Sequence, residues 1–115
     1  MTTVTVARLR NGRDIAAVLQ GRHQHGGRLL GLHRGSGPPA EPARIAVVAS
    51  RRVGGAVQRN RAKRLIREAV QRIDWVPEVD VVIVAHRACA QSHLAAVEAE
   101  LRRLALELEL SREAM

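Results

Sequence analysis

One stretch of seven residues, Val79 to Ala85 (VDVVIVA), constrains the fold of this chain more than any other feature. It is apolar at almost every position and lacks glycine and proline, which is typical of a strand buried on both faces. The chain around it has 115 residues, of which 46% are hydrophobic. That length is close to the commonest domain size, so we expect a single domain over residues 1–115.

Helical and extended patterns precede this strand. Asn11 can cap a helix from Gly12 to about Leu19, and Arg28 to His33 is extended. Ala43 to Ser50 (ARIAVVAS) is rich in β-branched residues and free of breakers, which predicts a strand. The turn-forming residues at 35–42 predict a hairpin loop between these two strands.

Two further helices complete the predicted order. The first runs from about Ala56 to Ile73, with its apolar residues gathered on one side. The second is capped by Ser92 and carries apolar residues at helical spacing, with mixed charges on its other face. The elements placed in this way follow the order αββαβα, which indicates an α/β sandwich with one strand–helix–strand crossover in its middle.

Positive charge is concentrated on the central helix and the residues before it. Residues 51–72 hold eight basic side chains against one acid, a balance of 8 − 1 = +7 out of a formal net charge of +8. The eight are Arg51, Arg52, Arg59, Arg61, Lys63, Arg64, Arg67 and Arg72. Charge packed so densely favours a polyanionic partner, because like charges repel one another without one.

Helical spacing arranges part of this charge as a stripe. The stripe consists of Asn60, Lys63, Arg64 and Arg67, at i, i+3, i+4 and i+7 beside the apolar face. A solvated helix face is the alternative interpretation. Surface helices usually mix charge signs, whereas here only the spacing of Arg64 and Glu68 offers a favourable pair. The imbalance therefore favours a bound polyanion, and Asn60 adds a neutral group suited to a base edge or ribose hydroxyl.

Other features narrow the class of protein. No apolar run approaches the roughly 20 residues of a membrane span, and the first residues lack the apolar stretch of a secretory signal. The single cysteine, Cys89, fits a reducing compartment, and we expect a cytoplasmic protein. A sequence pI of about 11.6 points to nucleic acid rather than to a small substrate.

Catalytic and metal-binding patterns are weak in comparison. His23 and His25 lie in a predicted loop without further ligands, and Cys89 with its flanking histidines is more simply explained by packing. An acidic patch at Asp74, Glu78 and Asp80 is expected to be solvated, so no metal site is predicted. The only Trp of the chain, at position 75, is expected to cover the core near the end of the central helix.

Residues 50–68, SRRVGGAVQRNRAKRLIRE, resemble the signature of the bacterial ribonuclease P protein component. The resemblance combines a strand end with two basic residues, a Gly-x-Ala-Val turn and an Arg-Asn-Arg-x-Lys-Arg-x-x-Arg helix. It implies a two-layer αβββαβα sandwich of the α/β (α+β) class, similar to domain 2 of a small-subunit ribosomal protein. It also implies a left-handed βαβ crossover, an exception to the usual right-handed rule. The implied pattern has one strand more than the residues themselves allowed us to place.

The resemblance implies a function as well. Such a protein assists a catalytic RNA, which uses magnesium ions, in removing the 5′ leader from precursor tRNA, and it broadens the substrate range. Its implied partners are that RNA and the leader, with no membrane and no obligate protein partner. The implied RNA-binding residues are Arg51, Arg52, Arg59, Asn60, Arg61, Lys63, Arg64 and Arg67, and no catalytic residue is implied.

The implied leader cleft departs from the family pattern. Family members place aromatic side chains there, whereas the matching positions here are Ile15, Leu19 and His33. Of these three, only His33 could stack on a base, so we expect a leader site that relies more on charge and apolar contact. Ordinary core packing is the alternative explanation for Ile15 and Leu19.

Two other functions stay open on sequence grounds. One is a non-enzymatic RNA-binding protein, such as a ribosomal or assembly factor. The other is a protein-only nuclease, which would need a cluster of carboxylates for magnesium that the sequence does not display.

Overall fold

The computed structural model describes residues 6–113, which form five strands and three α-helices. In chain order they are β1 (Ala7–Arg8), α1 (Gly12–Gln20), β2 (Gln24–Gly26), β3 (Leu30–Ser36), β4 (Arg44–Val48), α2 (Ala56–Val70), β5 (Val79–Ala85) and α3 (Leu94–Glu107). Short 3-10 helices at Arg51–Val53 and Arg87–Gln91 follow β4 and β5. Apart from the two-residue β1, this is the αβββαβα order that the family resemblance implies.

The apolar strand β5 lies at the centre of the sheet, as its sequence predicts. The strand order is β1-β4-β5-β3-β2, with β5 antiparallel to β3 and parallel to β4. Six of its seven residues are buried, since elements cover both of its faces and strands flank both of its edges. The parallel pair β4 and β5 is joined through α2, which confirms the predicted crossover. Its left hand stays a prediction.

The predicted hairpin at 35–42 is wrong. Strand β3 extends to Ser36, two residues into that segment, and it pairs with β5 rather than with β4. The segment after Ser36 therefore carries the chain past β5 to the other side of the sheet. Turn residues indicate that the chain bends after β3, but they do not determine which strands pair. Both β3 and β4 pair with β5, which follows β4 by more than thirty residues.

Strands β1 and β2 escaped the sequence prediction because neither has a periodic apolar pattern. All three residues of β2 are exposed on the sheet edge, and the loop predicted at His25 is wrong. The imidazole Nδ1 of His25 instead lies 3.3 Å from the Glu107 carboxylate of α3. Pairing with β3, rather than local sequence, defines this strand.

The helix predictions hold with corrections at their ends. Asn11 caps α1 as predicted, its side-chain oxygen accepting from the backbone N–H of Arg13 at 2.8 Å. Helix α2 ends at Val70, three residues before the predicted end. The cap of α3 is His93 rather than Ser92: its Nδ1 accepts from the N–H of Ala96.

Helices cover the two faces of the sheet unequally. The larger cluster packs α2 and α3 against one face, and it includes Trp75, whose Nε1 donates to the Val70 carbonyl at 3.0 Å. The predicted role of Trp75 as a cover is thus confirmed. On the other face, Val18 of α1 packs with Ala46 and Val82 in a small cluster. Gly35 permits this approach, since a Cβ there would lie 2.8 Å from the Val18 side chain.

A buried ion pair corrects the expectation of a solvated acidic patch. Asp80 is only 4% exposed, and both of its carboxylate oxygens accept from Arg44, at 2.8 and 2.6 Å. Arg44 also reaches Asp14 of α1 at 3.4 Å. The hydrogen bond to Asp80 is the main cause that raises the pKa of Arg44. A buried carboxylate needs such a partner, so Asp80 fixes the position of the Arg44 side chain. Arg44 in turn links the sheet to Asp14 of α1.

Candidate nucleic-acid interface

The basic stripe predicted from the sequence lies on the outer side of α2. Asn60, Arg64 and Arg67 are exposed and Lys63 is half-buried, while Ala62 and other residues of the apolar face are buried against the core. The helix is held by its apolar face, which fixes the backbone from which the basic side chains extend. The stripe is therefore presented by a rigid surface.

The cations of the stripe have no carboxylate partner in the described part of the chain. No ion pair within residues 6–113 involves Lys63, Arg64 or Arg67, and the spacing of Arg64 and Glu68 does not produce one. Half-buried Arg59 likewise lacks an acidic partner there. Repulsion among these charges is consequently not offset within this part of the protein, and an anion bound from outside would offset it.

Arg61 differs from the other basic residues of α2. Its Nε donates to the Ala90 carbonyl at 2.8 Å and its Nη2 to the Ser92 carbonyl at 2.9 Å. These bonds attach α2 to the connection between β5 and α3. Arg61 thus has a structural role that its sequence position did not reveal, and its contact with RNA stays a prediction.

The turn before α2 places two further cations at the end of β4. Arg51 and Arg52 lie exposed in a 3-10 helix, where the Ser50 hydroxyl accepts from the N–H of Arg52 at 3.3 Å. Gly54, with φ of 141°, is the residue in the left-handed half of backbone space, whereas Gly55 is extended. The turn therefore depends on Gly54. Gly55 has no side chain to cap α2, so the first N–H groups of the helix receive no cap from it.

The three predicted leader-cleft residues lie on one face of the sheet, the face that α1 partly covers. Ile15 is half-buried and packs against the small apolar cluster there, whereas Leu19 is 38% exposed. His33 is on β3 directly opposite Val82, a member of that cluster. Core packing thus accounts for much of the burial of Ile15, but it does not account for the exposed side chain of Leu19.

His33 brings an unused polar atom to this face. Its Nδ1 is buried without a hydrogen-bond partner, and burial lowers the pKa of the imidazole. Gly31 and Gly35 flank it at alternate positions of β3 and leave the ring without neighbouring side chains on that strand. A neutral imidazole in this setting can stack on a base through its ring.

A second group of residues lies at the carboxyl ends of β4 and β5, and of these only Arg52 is among the RNA-binding residues predicted from the sequence. Ser50, Arg52, His86 and Arg87 line a pocket there. His86 Nδ1 lies 3.0 Å from the Gly27 carbonyl, which favours a proton on that nitrogen and leaves Nε2 as an acceptor. Ligands of open α/β sheets bind where parallel strands end. The pair His86 and Arg87, directly after the apolar strand VDVVIVA, is therefore the sequence feature that could have indicated this site.

The remaining reactive groups are engaged in packing. Cys89 is fully buried, and burial is the main cause that raises the pKa of its thiol to about 11. A thiol of this kind is a poor nucleophile, which confirms packing as the better explanation of Cys89. Within residues 6–113, no three or more His, Cys, Asp and Glu side chains form a group that could hold a metal ion. None of the helices in the same range is long and apolar enough to cross a membrane.

Comparison with known proteins agrees with this geometry. Residues 5–109 match the family model described as Ribonuclease P. The chain is similar to the ribonuclease P protein component of Brevibacillus brevis, with 33% identity over 96 residues, 82% of this chain and 76% of that one. It is also 36% identical over 64 residues to the protein of that name from Dehalococcoides mccartyi. That match covers 56% of this chain and only 53% of the relative, about half of its length.

Solved structures show the same fold. The ribonuclease P protein of Staphylococcus aureus superposes with a TM-score of 0.78 over 91% of this chain and 97% of that one, at 19% identity. The ribonuclease P protein of Thermotoga maritima gives a TM-score of 0.67 over 94% and 98% of the two chains, at 22% identity. At these identities the likeness establishes the arrangement of helices and strands.

Proposed function

The chain belongs to the ribonuclease P protein family, and from this premise we propose that it is the auxiliary protein subunit of ribonuclease P. In that role it would assist a catalytic RNA in the endonucleolytic removal of the 5′ leader from precursor tRNA, in the cytoplasm. The observation that carries the proposal is the basic stripe of α2, which is rigidly held and lacks carboxylate partners in the described part of the chain.

The stripe supplies the binding of the catalytic RNA in this proposal. Guanidinium and ammonium groups pair with phosphates, and their contribution grows with each counterion that the RNA releases. Asn60 would fix the register through a base edge or a ribose hydroxyl. The RNA-binding residues of the proposal are Arg51, Arg52, Arg59, Asn60, Arg61, Lys63, Arg64 and Arg67. Arg61 also holds α2 in position through its two carbonyl contacts.

The leader of precursor tRNA would bind on the sheet face that carries Ile15, Leu19 and His33. The exposed side chain of Leu19 and the half-buried one of Ile15 offer apolar contact to a base, and the half-buried His33 offers an aromatic ring. Arg52, Arg87 and His86 line the pocket at the strand ends and would hold leader phosphates. Such contacts tolerate any base sequence, which suits a subunit that broadens the substrate range.

The chemistry of cleavage is assigned to the RNA subunit, which would hold the magnesium ions of the reaction. This chain contributes affinity by holding both the catalytic RNA and the leader, so that the cleavage site is presented to the RNA. The proposal therefore places binding and orientation in the protein and no bond-breaking step.

A reconstitution with components omitted in turn tests the proposal. Precursor tRNA, magnesium and the cognate catalytic RNA are mixed with and without the protein, and cleavage is followed over a range of magnesium and salt. We expect the protein to lower the magnesium and salt required by the RNA and to cleave nothing by itself. Cleavage by the protein alone would indicate a protein-only nuclease. RNA binding without any effect on cleavage would indicate a non-enzymatic RNA-binding protein.

A further inference from the structure

A cleft of about 330 Å³ opens along the free edge of β4, and it is called the edge cleft below. Strand β1 pairs only with the start of β4, where Ala7 lies opposite Arg44 and Arg8 opposite Ile45. Within residues 6–113, no strand continues this edge beside Ala46 to Val48. Edge strands present unpaired backbone N–H and C=O groups, so hydrogen-bonding groups are available along the cleft.

The walls of the edge cleft come from both sides of the sheet. Ile15 of α1 lines it on one side, and Val70 of α2 lines it on the other. Arg8, Arg67 and Gln71 supply its polar lining, and all three are exposed. Apolar walls with a few polar groups at the opening are the usual composition of a ligand site.

The two guanidinium groups of the edge cleft have no ion-pair partner in the described range 6–113. Arg8 and Arg67 come from distant parts of the chain, and the fold brings them to one opening. Two like charges that share an opening repel each other, and a bound anion would relieve the repulsion. This favours a ligand with a phosphate over a neutral or cationic one.

The edge cleft is also continuous with the basic stripe. Arg67 belongs to both, and Gln71 follows one helical turn later on the same side of α2. An RNA strand held along the stripe would thus reach the opening of the cleft. The volume lies at the lower end of the roughly 300–1,000 Å³ found for small-molecule pockets, which suits one nucleotide rather than a paired segment.

We propose that the edge cleft binds a single unpaired RNA nucleotide. Its base lies between Ile15 and Val70, its polar edge faces the free edge of β4 and the Gln71 amide, and its phosphate pairs with Arg8 and Arg67. The inference rests on the proposed function and adds a nucleotide subsite to it. His33 and Leu19 do not line this cleft, so the subsite is separate from most of the leader surface.

Cross-linking identifies the nucleotide. A photoreactive p-benzoylphenylalanine replaces Gln71 in one variant and Glu68 in a matched control, which is exposed on α2 but does not line the cleft. Each variant is irradiated in the complex with catalytic RNA and precursor tRNA. We expect position 71 to label one nucleotide or two adjacent ones, and position 68 not to label them. Equal labelling from both positions, or none from position 71, would overturn the proposal.

Substitution then tests whether a phosphate is held. Arg8→Ala should weaken RNA binding roughly tenfold, the loss expected for a hydrogen bond between charged groups. It should also flatten the slope of log K against log salt by about 0.7, which corresponds to one contact with a single strand. Arg10→Ala is the matched control, because Arg10 is exposed and does not line the cleft. Equal effects of the two substitutions would show that Arg8 contributes only through the net charge of the protein, and they would refute the subsite.

An abasic nucleotide at the cross-linked position tests for the base. It should weaken binding to the wild-type protein and to Arg10→Ala equally, but add little to the loss caused by Ala7→Phe, which fills the cleft. Non-additivity of this kind shows that both changes remove one contact. If Ala7→Phe fails to fold, Gln71→Ala, at an exposed position, replaces it in the same combination with the abasic nucleotide. Additive losses would refute the subsite while wild-type stimulation of cleavage persists. Absence of that stimulation would refute the proposed function itself.

Discussion

The outer faces of α2 and α3 carry positive charge in two different ways. On α3, Arg102 pairs with Glu98 at 3.1 Å and also with Glu113, and Arg103 pairs with Glu107 at 3.0 Å. On α2, the cations of the stripe have no such partners in the described residues 6–113. Both helices pack on the same face of the sheet, so the core does not account for the difference.

The outer face of α3 has its charges paired within the protein, whereas the stripe on α2 requires an external partner. Charges on α3 are neutralised within the protein, and they contribute to its stability. Charges of the stripe on α2 add repulsion to the free protein and become favourable only beside a polyanion. Substitutions on α3 should therefore change stability with little effect on RNA binding, and substitutions on the stripe should do the reverse.

The largest stability effect is expected at Glu100 of α3. Its carboxylate accepts from the backbone N–H groups of Arg28, Leu29 and Leu30, at 3.0, 2.8 and 2.9 Å. Glu100→Ala should lower the free energy of unfolding by about 2–4 kcal/mol, since it leaves partly buried donors unpaired. Urea denaturation measures the loss, with Glu68→Ala as the control. A loss as small as that of the control would show that water replaces the carboxylate.

The largest binding effect is expected on the stripe. Lys63→Ala combined with Arg64→Ala should weaken binding to the catalytic RNA by roughly 30-fold or more, since two charged contacts are removed. The salt slope should flatten by about 0.7–0.9 for each lost phosphate contact. Stability should stay the same or rise, because repulsion within the stripe decreases. Binding titrations at several salt concentrations measure both quantities, and an unchanged slope would mean that the stripe is an ordinary solvated face.

An alkaline titration tests the packing of α2 against the 3-10 helix that follows β5. Cys89 lies there with its Sγ 4.0 Å from the Ala62 carbonyl of α2. Its pKa is raised from 9.0 to about 11, so the folded state favours the protonated thiol. The resulting stability is fully present below pH 9 and is lost as the pH rises towards 11, with about 1 kcal/mol lost by pH 10. Cys89→Ala should abolish this loss. The chain has no Tyr, which keeps the background low.

The smallest effect is expected at the exposed pair of Arg103 and Glu107. Arg103→Ala should change the free energy of unfolding by no more than about 0.5 kcal/mol, as is usual for an exposed pair four residues apart on a helix. RNA affinity should change less than twofold, although the net charge falls by as much as in Arg64→Ala. Parallel binding titrations of these two variants make the comparison. Equal losses of affinity would show that net charge, rather than the position of the stripe, determines binding.

Local sequence patterns were sufficient to predict the elements that have a continuous or periodic run of apolar residues. The bounds of β5 were predicted to the residue, and the apolar face of α2 is buried as its spacing predicted. The signature at residues 50–68 identified the family, which the match over residues 5–109 confirms. Strand β2 could not be found in this way, because all of its residues are exposed and only its pairing with β3 defines it.

The sequence by itself determined which segments are buried and where positive charge collects, because both follow from the order of neighbouring residues. Only the tertiary structure decided that β5 separates β3 from β4 and that Asp80 is buried against Arg44. It also decided that Arg8 and Arg67 line one cleft. These are contacts between residues far apart in the chain, and no local period encodes them. They form because burial of β5 brings distant segments together around it.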